Sequence, residues 1–273
     1  LRKRLLQTEN DLPASSSGKI ISRTMSDEEC DSEYCPIYGA QSPHIKRREY
    51  KNEPILGKSE NQFCAAFYHV HEWNNHGHFC LDENGCIIAI RAKREAQRDE
   101  PDWTKQPREQ VIAVAKFEDK DGNILYEAKY SNCKVKNANN HAEDFFKDDI
   151  EDGNGVLNQL VQNNPNGTIT LYITYQPCHK SIKSDPNKSC CNILKAIVTQ
   201  ILRAHGRKID LCVKATHAHY SFDLRKKYDK DGEKRRQNAV KGIKELMRIE
   251  GISVTGMTHE DWDYLFSLTE CFL

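Results

Sequence analysis

The sequence predicts an α/β fold, and three observations lead to that prediction. Two β-rich segments flank a short polar turn, which is typical of an antiparallel hairpin. A third β-rich segment is apolar enough for the middle of a sheet. Towards the C-terminus a long helical pattern separates two further β-rich segments, and a helix in that position joins parallel strands. The 273 residues, of which 38% are hydrophobic, suit one domain with a sizeable core plus tails.

The five predicted strands follow one another after residue 110. Strands one and two, at residues 111–117 and 124–130, form the hairpin. Strand three, at residues 168–175, consists mainly of β-branched and aromatic residues. Strands four and five lie at residues 209–215 and 251–255.

The C-terminal helices fix how the last two strands pair. Residues 233–249 show a helical pattern and would cross from strand four to strand five, so these two strands should be parallel. Thr258-His-Glu-Asp261 has the S/T-x-x-D/E pattern of a helix start, and Trp262 and Leu265 continue that last helix.

The N-terminal part of the chain predicts less structure. Residues 1–58 are polar, Ser-rich and mixed in charge, and they predict a mostly disordered tail, with the folded domain at residues 59–273. Residues 69–86 hold a cluster of His and Cys side chains. His69 and His71 are two apart on a predicted helix and cannot face one ion together. Ordinary core and loop residues therefore explain the cluster better than a second metal site.

Charge and cysteine content restrict the classes of function. The formal net charge is +0, so any nucleic-acid binding must depend on local patches. Residues 225–236 form one such basic patch, with a solvated surface loop as the plainer alternative. Eleven cysteines with no regular spacing are typical of thiols in a reducing compartment. No signal peptide or long apolar run is seen in this chain, which begins with Leu, so a cytoplasmic or nuclear location is expected.

One stretch carries the residues of a metal site. It contains His141-Ala-Glu143, then Pro177-Cys178, and then Cys190-Cys191. One imidazole and two thiolates are the ligands of a zinc ion that keeps a fourth position open. Zinc deaminases show the pattern H-x-E…P-C-x-x-C, in which the Glu is not a ligand but moves protons. Here the gap after the first Cys is much longer than in that pattern.

The residues around these motifs predict where each side chain lies. Asn139 and Asn140 are candidate N-caps, which would put His141 and Glu143 in the first turn of a helix. Pro177 ends strand three just before the first Cys. A second helix begins near Cys190, and the positive end of a helix favours a thiolate over a thiol.

Two neighbouring cysteines compete to be the last ligand. The apolar residues that follow Cys190 lie on one helical face, which packs on the sheet: Ile193, Leu194, Ile197 and Val198. Cys190, just before that face, can point back at Cys178, whereas Cys191 is rotated about 100° away. Helical phase therefore favours Cys190.

Two longer segments resemble the AID/APOBEC-like cytidine deaminases, and the likeness runs from about Ser59 to Leu273. Ile169 to Cys178 (ITLYITYQPC) is similar to the family's strand that leads into S-W-S-P-C. Gly242 to Tyr264 (GIKELMRIEGISVTGMTHEDWDY) is similar to its helix, fifth strand and M-T-x-x-x-[FYW] helix start.

This chain departs from the family pattern in three places. Tyr175 replaces the Trp before the Pro-Cys pair. Residues 179–189 replace the usual short gap between the Cys ligands. The Ala-Arg-Leu-Tyr run after strand four is present only as residues 215–220, ATHAHY.

The resemblance implies a fold, a cofactor and an activity. The fold would be the three-layer one of cytidine deaminases, a mixed five-stranded sheet with helices on both faces. The activity would be zinc-dependent hydrolysis of cytosine to uracil in single-stranded DNA or RNA, with Zn²⁺ held by His141, Cys178 and Cys190. Glu143 would move the protons. Substrate contacts would come from Asn139, Tyr175, His219 and Tyr220, although core packing explains Tyr175 equally well.

Two alternatives remain open at this point. A deaminase of free cytidine would use the same chemistry, but such enzymes are shorter and turn strand five antiparallel. A catalytically inactive, zinc-containing module that binds nucleic acid would use a closed site with four protein ligands. His179, which follows Cys178, is the candidate for that fourth ligand.

Overall fold

A mixed sheet of six strands forms the centre of the fold. The structure, a computed structural model, describes residues 44–51, 53–57, 111–135, 138–182, 185–217 and 230–270. The strands of the sheet are β1 (Ile45–Arg47), β2 (Ile112–Asp119), β3 (Ile124–Ser131), β6 (Asn166–Tyr175), β7 (Lys208–His217) and β8 (Ile252–Thr255). Two short strands, β4 (Cys133–Val135) and β5 (Ala138–Asn140), pair with each other in a separate sheet.

The pairing of the strands confirms the α/β prediction. The sheet order is β1-β3-β2-β6-β7-β8, in which β2 pairs antiparallel with β3 and with β6. β7 is parallel to both β6 and β8. The predicted strands four and five are therefore parallel, as the crossover helix between them requires. The sheet has one strand more than the five that were expected.

The additional strand comes from the segment that was predicted to be a tail. Ile45 on β1 pairs with Tyr130 on β3. Ile55 and Leu56 are each 2% exposed, and their backbone N–H groups donate to the carbonyl oxygen of Leu268. Residues 44–57 thus belong to the folded unit, although their polar composition did not show it. Residues 1–43 and the His/Cys stretch at 69–86 lie outside the described residues.

Five α-helices occur in the described part of the chain. Four of them were expected, and the short α2 was not. None of these described helices is both long and apolar enough to cross a membrane. They are α1 (Ala142–Glu151), α2 (Val156–Asn163), α3 (Cys190–Ile197), α4 (Lys230–Leu246) and α5 (His259–Phe266).

Helices pack on both faces of the sheet. On one face, the ring of Tyr264 on α5 lies 5.3 Å from that of Tyr172, and its hydroxyl donates to Glu127 at 2.7 Å. On the other face, Tyr130 packs against Phe146 of α1, with ring centroids 5.6 Å apart. Glu127 and Tyr130 are three residues apart on β3, so their side chains leave opposite faces of the strand.

The predicted start of α5 is present as a reciprocal cap. The side chain of Thr258 accepts from the backbone N–H of Asp261, and the carboxylate of Asp261 accepts from the backbone N–H of Thr258 at 2.7 Å. Lys214 on β7 donates to the same carboxylate at 2.7 Å, which fixes α5 to the sheet.

A buried carboxylate, that of Asp149, joins α1 to two strands. It pairs with Arg47 of β1 and accepts hydrogen bonds from the hydroxyls of Tyr126 at 2.5 Å and Tyr130 at 2.6 Å. The side chain of Asp149 is 0% exposed, and that of Arg47 is 17% exposed. Such a charge is stable inside a protein only while its partners remain.

We expect Asp149→Ala to lower the free energy of unfolding by about 3–5 kcal/mol, because it leaves a mostly buried guanidinium and two tyrosine hydroxyls without their acceptor. Urea unfolding measures this loss. Glu151→Ala is the control, since it removes a half-exposed ion pair with Lys147 on the same helix and should cost at most about 0.5 kcal/mol. Equal midpoints for the two variants would show that the Asp149 network does not hold β1 and α1 in place.

Candidate metal centre

Three structural elements deliver the three side chains of the candidate metal centre. His141 is the N-cap residue of α1, and Cys190 is the first residue of α3. Cys178 follows the end of β6 at Tyr175 by three residues. In an α/β sheet the ends of parallel strands meet the starts of the following helices, which is why these positions converge.

The three ligand atoms lie within reach of one ion. His141 Nδ1 is 3.2 Å from Cys190 Sγ and 3.6 Å from Cys178 Sγ, and the two sulfurs are 3.5 Å apart. Within the part of the chain that the structure describes, this is the one group of three or more His, Cys, Asp or Glu side chains arranged to hold a metal ion. Cys178 and Cys190 are buried, and His141 is partly buried.

The start of α1 differs by one residue from the expected one. Asn139 and Asn140 were predicted to cap the helix, but they lie in β5, where Asn140 pairs with Cys133 of β4. His141 is the N-cap instead, and its backbone N–H donates to Asp144 Oδ2 at 2.6 Å. The imidazole thus lies at the N-terminal end of α1. The side chain of Asn139 lies outside the described residues.

Glu143, two residues further on, is a buried acid without a hydrogen-bond partner for one of its oxygens. It is 3% exposed, and no partner is found for Oε2 within the described protein. Burial raises the pKa of Glu143 to about 7, with the positive charge of His141 opposing and the negative charge of Cys178 adding to that shift. A buried polar atom in this state costs free energy, so it indicates a functional role or a missing ligand.

The pKa values of the two cysteine thiols in the cluster shift in opposite directions. The hydrogen bond with Cys190 is the main reason that the pKa of Cys178 is lowered to about 5, against the effect of burial. Burial raises the pKa of Cys190 well above its ordinary value. Burial alone would lower the pKa of His141, but the hydrogen bond with Cys178 and the charge of Glu143 raise it. The cluster therefore already favours one thiolate, which attracts a cation.

Cys190 and Cys191 point in different directions, as helical phase predicts. The sulfur of Cys190 lies in the cluster. The sulfur of Cys191 instead lies 3.4 Å from the carbonyl oxygen of Pro177, and burial raises the pKa of its thiol. Ser189 is the N-cap of α3, and its hydroxyl accepts from the backbone N–H of Asn192 at 3.2 Å.

His179, the candidate for a fourth ligand, has another partner. Its Nδ1 lies 2.8 Å from the hydroxyl oxygen of Ser189. It is not a member of the cluster in the described structure. Three side chains therefore surround the site, and a tetrahedral ion held by them would keep one open position.

The predicted substrate-binding residues are only partly described. Tyr175 is the last residue of β6, its side chain is partly exposed, and its backbone lies opposite His217 of β7. His219 and Tyr220 lie outside the described residues, as do residues 225–227 of the basic patch. Arg236, which belongs to that patch, forms a 2.6 Å ion pair with Glu233.

Two charged residues next to the cluster were not identified from the sequence. Lys188 Nζ contacts Asp144 Oδ2 at 2.5 Å, and that oxygen also accepts from the backbone N–H of His141. Asp144 is three residues after the N-cap His141, and an acid at that position accepts a hydrogen bond from the backbone N–H of the N-cap. The sequence does not mark Asp144 as such an acid, because His is not a usual N-cap residue.

No protein-family model matches the chain, and no curated protein matches it significantly. The described residues themselves define the chemistry that the site offers. It combines a soft donor set of one nitrogen and two sulfurs with a buried carboxylate that is not part of that set. Such a set suits a metal ion of borderline softness and leaves the acid free for proton transfer.

We expect Cys190→Ser to abolish stoichiometric uptake of zinc, because a serine hydroxyl is a poor replacement for a thiolate ligand. Cys191→Ser is the matched control and should retain most of the metal, since the sulfur of Cys191 faces Pro177. Metal content of the purified variants measures both. Retention in Cys190→Ser together with loss in Cys191→Ser would reverse the ligand assignment.

Proposed function

We propose that this chain is a zinc-dependent hydrolase that converts cytosine to uracil in single-stranded DNA or RNA. The observation that carries the proposal is Glu143, a buried carboxylate with one unpartnered oxygen, two residues from a three-ligand cluster. A structural metal site has no need of an unsatisfied acid beside it. A hydrolytic site needs a group that takes a proton from water and returns it to the substrate.

The donor set fits zinc by both distance and type. A tetrahedral ion with bonds of about 2.3 Å to sulfur and about 2.0–2.1 Å to nitrogen places two sulfurs about 3.8 Å apart and nitrogen about 3.6 Å from sulfur. The sulfurs here are 3.5 Å apart, and Nδ1 of His141 lies 3.2 Å and 3.6 Å from them. Small outward shifts of Cys190 would complete the geometry.

The residues divide the reaction between them. When bound, zinc supplies Lewis acidity and one open position at which the pKa of water falls to about 7. The ion would be held by the side chains of His141, Cys178 and Cys190. Glu143 takes the proton that the water loses and passes it to N3 of the ring. A bond forms between the water oxygen and C4, the C4–N bond breaks as the second proton of the water is delivered to the amine, and ammonia leaves as uracil is formed.

The topology supports the resemblance to AID/APOBEC-like cytidine deaminases. The five strands predicted from the sequence are adjacent in the sheet, in the order two-one-three-four-five, and β1 adds an edge beside strand two. Helices pack on both faces, as that three-layer fold requires. The parallel pairing of β7 and β8 favours a deaminase of polynucleotides over one of free cytidine, in which the last strand is antiparallel.

The candidate substrate-binding residues in the described part of the chain are those that lie near the metal site at the end of the sheet. Tyr175 ends β6 three residues before Cys178, and its partly exposed ring is a candidate to stack on the base. Asn139 in β5, two residues before His141, is a candidate to bind the substrate near the metal. His219 and Tyr220, which follow β7 in the sequence and lie outside the described residues, remain further candidates.

We expect Glu143→Ala to reduce the deamination rate by roughly 10²–10⁴-fold, because the variant lacks the group that transfers protons. Glu143→Gln should be almost as slow, since an amide keeps the shape but takes up no proton. Both variants should retain zinc and fold, as metal content and circular dichroism would show. If instead Glu143 only complements the positive end of α1, worth about 0.3–1 kcal/mol, both variants would lose a little stability and no specific activity.

A substrate comparison tests the activity itself. Purified protein is incubated with single-stranded DNA, single-stranded RNA and free cytidine, and uracil or uridine is measured in each. We expect a product from a polynucleotide and little from the nucleoside. A product from cytidine alone would establish the free-nucleoside alternative. Protein that holds zinc and deaminates none of the three would support the inactive binding module.

A further inference from the structure

In the loop between the two cysteine ligands, residues 179–189, hydrogen bonds join the described residues near its two ends. The backbone N–H of Lys180 donates to the carbonyl oxygen of Lys188 at 2.7 Å. Asp185 Oδ1 accepts from the backbone N–H groups of Asn187 at 3.3 Å and of Lys188 at 3.1 Å. The turn built on Asp185 therefore sets the position of Lys188, two residues before the ligand Cys190.

The loop reaches the first turn of α1 through the side chain of Lys188. Its ammonium group lies 2.5 Å from Asp144 Oδ2, and the two side chains are only 16% and 21% exposed. The same oxygen accepts from the backbone N–H of His141 at 2.6 Å. One carboxylate oxygen thus connects the loop to the backbone of a metal ligand. The carbonyl oxygen of Lys188 also lies 3.8 Å from Cys178 Sγ.

The opposite side of the loop is held by α4. A Cβ atom at Gly242 would lie 2.2 Å from the Cβ of His179, so helix and loop approach as closely as glycine permits. Asn238 Nδ2 donates to the carbonyl oxygen of Lys180 at 3.1 Å. The described residues of the loop are thus held by α1 on one side and by α4 on the other.

We infer that Lys188 is a positioning residue of the metal centre, which holds His141 in place through Asp144 and offsets the negative charge around the ion. Two ligand sulfurs, Glu143 and Asp144 place up to four negative charges in this region when the ligands are deprotonated. Zinc with Lys188 supplies three positive charges in return. This inference rests on the metal site of the proposed function and is independent of its substrate.

An ordinary surface ion pair would behave differently. Exposed pairs contribute little, because water screens both charges. The Lys188–Asp144 pair is mostly buried, and its acceptor oxygen is shared with the N-cap of the helix that carries the ligand. Groups that orient a metal ligand in this way typically change metal affinity or activity by 10–100-fold.

The test measures zinc affinity by competition with a chelator, and the spectrum of the Co²⁺-substituted protein. We expect Lys188→Met to bind zinc roughly 10–100-fold more weakly and to show an altered cobalt spectrum. Lys188→Arg keeps the charge and should restore most of both. Lys147→Met is the matched control, since it breaks the partly exposed ion pair between Lys147 and Glu151 on α1, the helix that also carries Asp144. It should leave both readouts unchanged.

A double-mutant cycle identifies the partner. Asp144→Asn should weaken zinc binding in the same direction, and Lys188→Met/Asp144→Asn should be no weaker than the weaker single variant, because both changes remove one shared link. Circular dichroism of the metal-free variants monitors folding separately. Additive losses would overturn the link through Asp144.

Other outcomes would overturn the inference altogether. One is zinc affinity in Lys188→Met equal to that of Lys147→Met, and another is failure of Lys188→Arg to recover it. The proposed activity fails by a different result. Protein with the expected ranking of zinc affinities that deaminates no cytosine would remove the activity and leave this role of Lys188 intact.

Discussion

The hydrogen bond from the backbone N–H of Cys191 to the carbonyl oxygen of Cys178, 3.1 Å long, is the contact on which the centre depends. It joins the first turn of α3 to the chain just past β6, and so brings the two sulfurs to one place, where they lie 3.5 Å apart. Strand β6 is central in the sheet and pairs with β2 and β7. The rigidity of the sheet thus extends to the candidate metal ligands.

Electrostatics explain why helix starts and acids meet here. The positive ends of the helix dipoles at the starts of α1 and α3 favour negative charge, and two thiols and two carboxylates lie beside them. Burial acts in the opposite direction and raises the pKa of Glu143 and of Cys190. A divalent cation held by the cluster would reconcile the two effects, because it would let the thiols ionise inside the protein.

The sequence allowed most of the sheet and three metal-site side chains to be predicted, because both depend on local patterns. Strand β6 is marked by β-branched residues, and the choice of Cys190 over Cys191 needed only helical phase. The strand β1 escaped prediction, since three residues with the sequence Ile-Lys-Arg have no apolar alternation and gain their stability from Asp149 and β3. The cap of α1 was misplaced because Asn139 and Asn140 were used by a strand pair instead.

The long gap between the cysteine ligands is compatible with a metal centre on energetic grounds. Loop closure costs only about 0.6 kcal/mol for each doubling of loop length, so extending a gap of two to four residues to residues 179–189 costs on the order of 1–2 kcal/mol. The contacts of Lys188 with Asp144, of Asp185 with the loop backbone and of His179 with Ser189 are each of a kind that offsets a comparable amount. The longer loop is therefore not a weakening of the site. It places the ammonium group of Lys188 beside Asp144, next to the candidate metal centre.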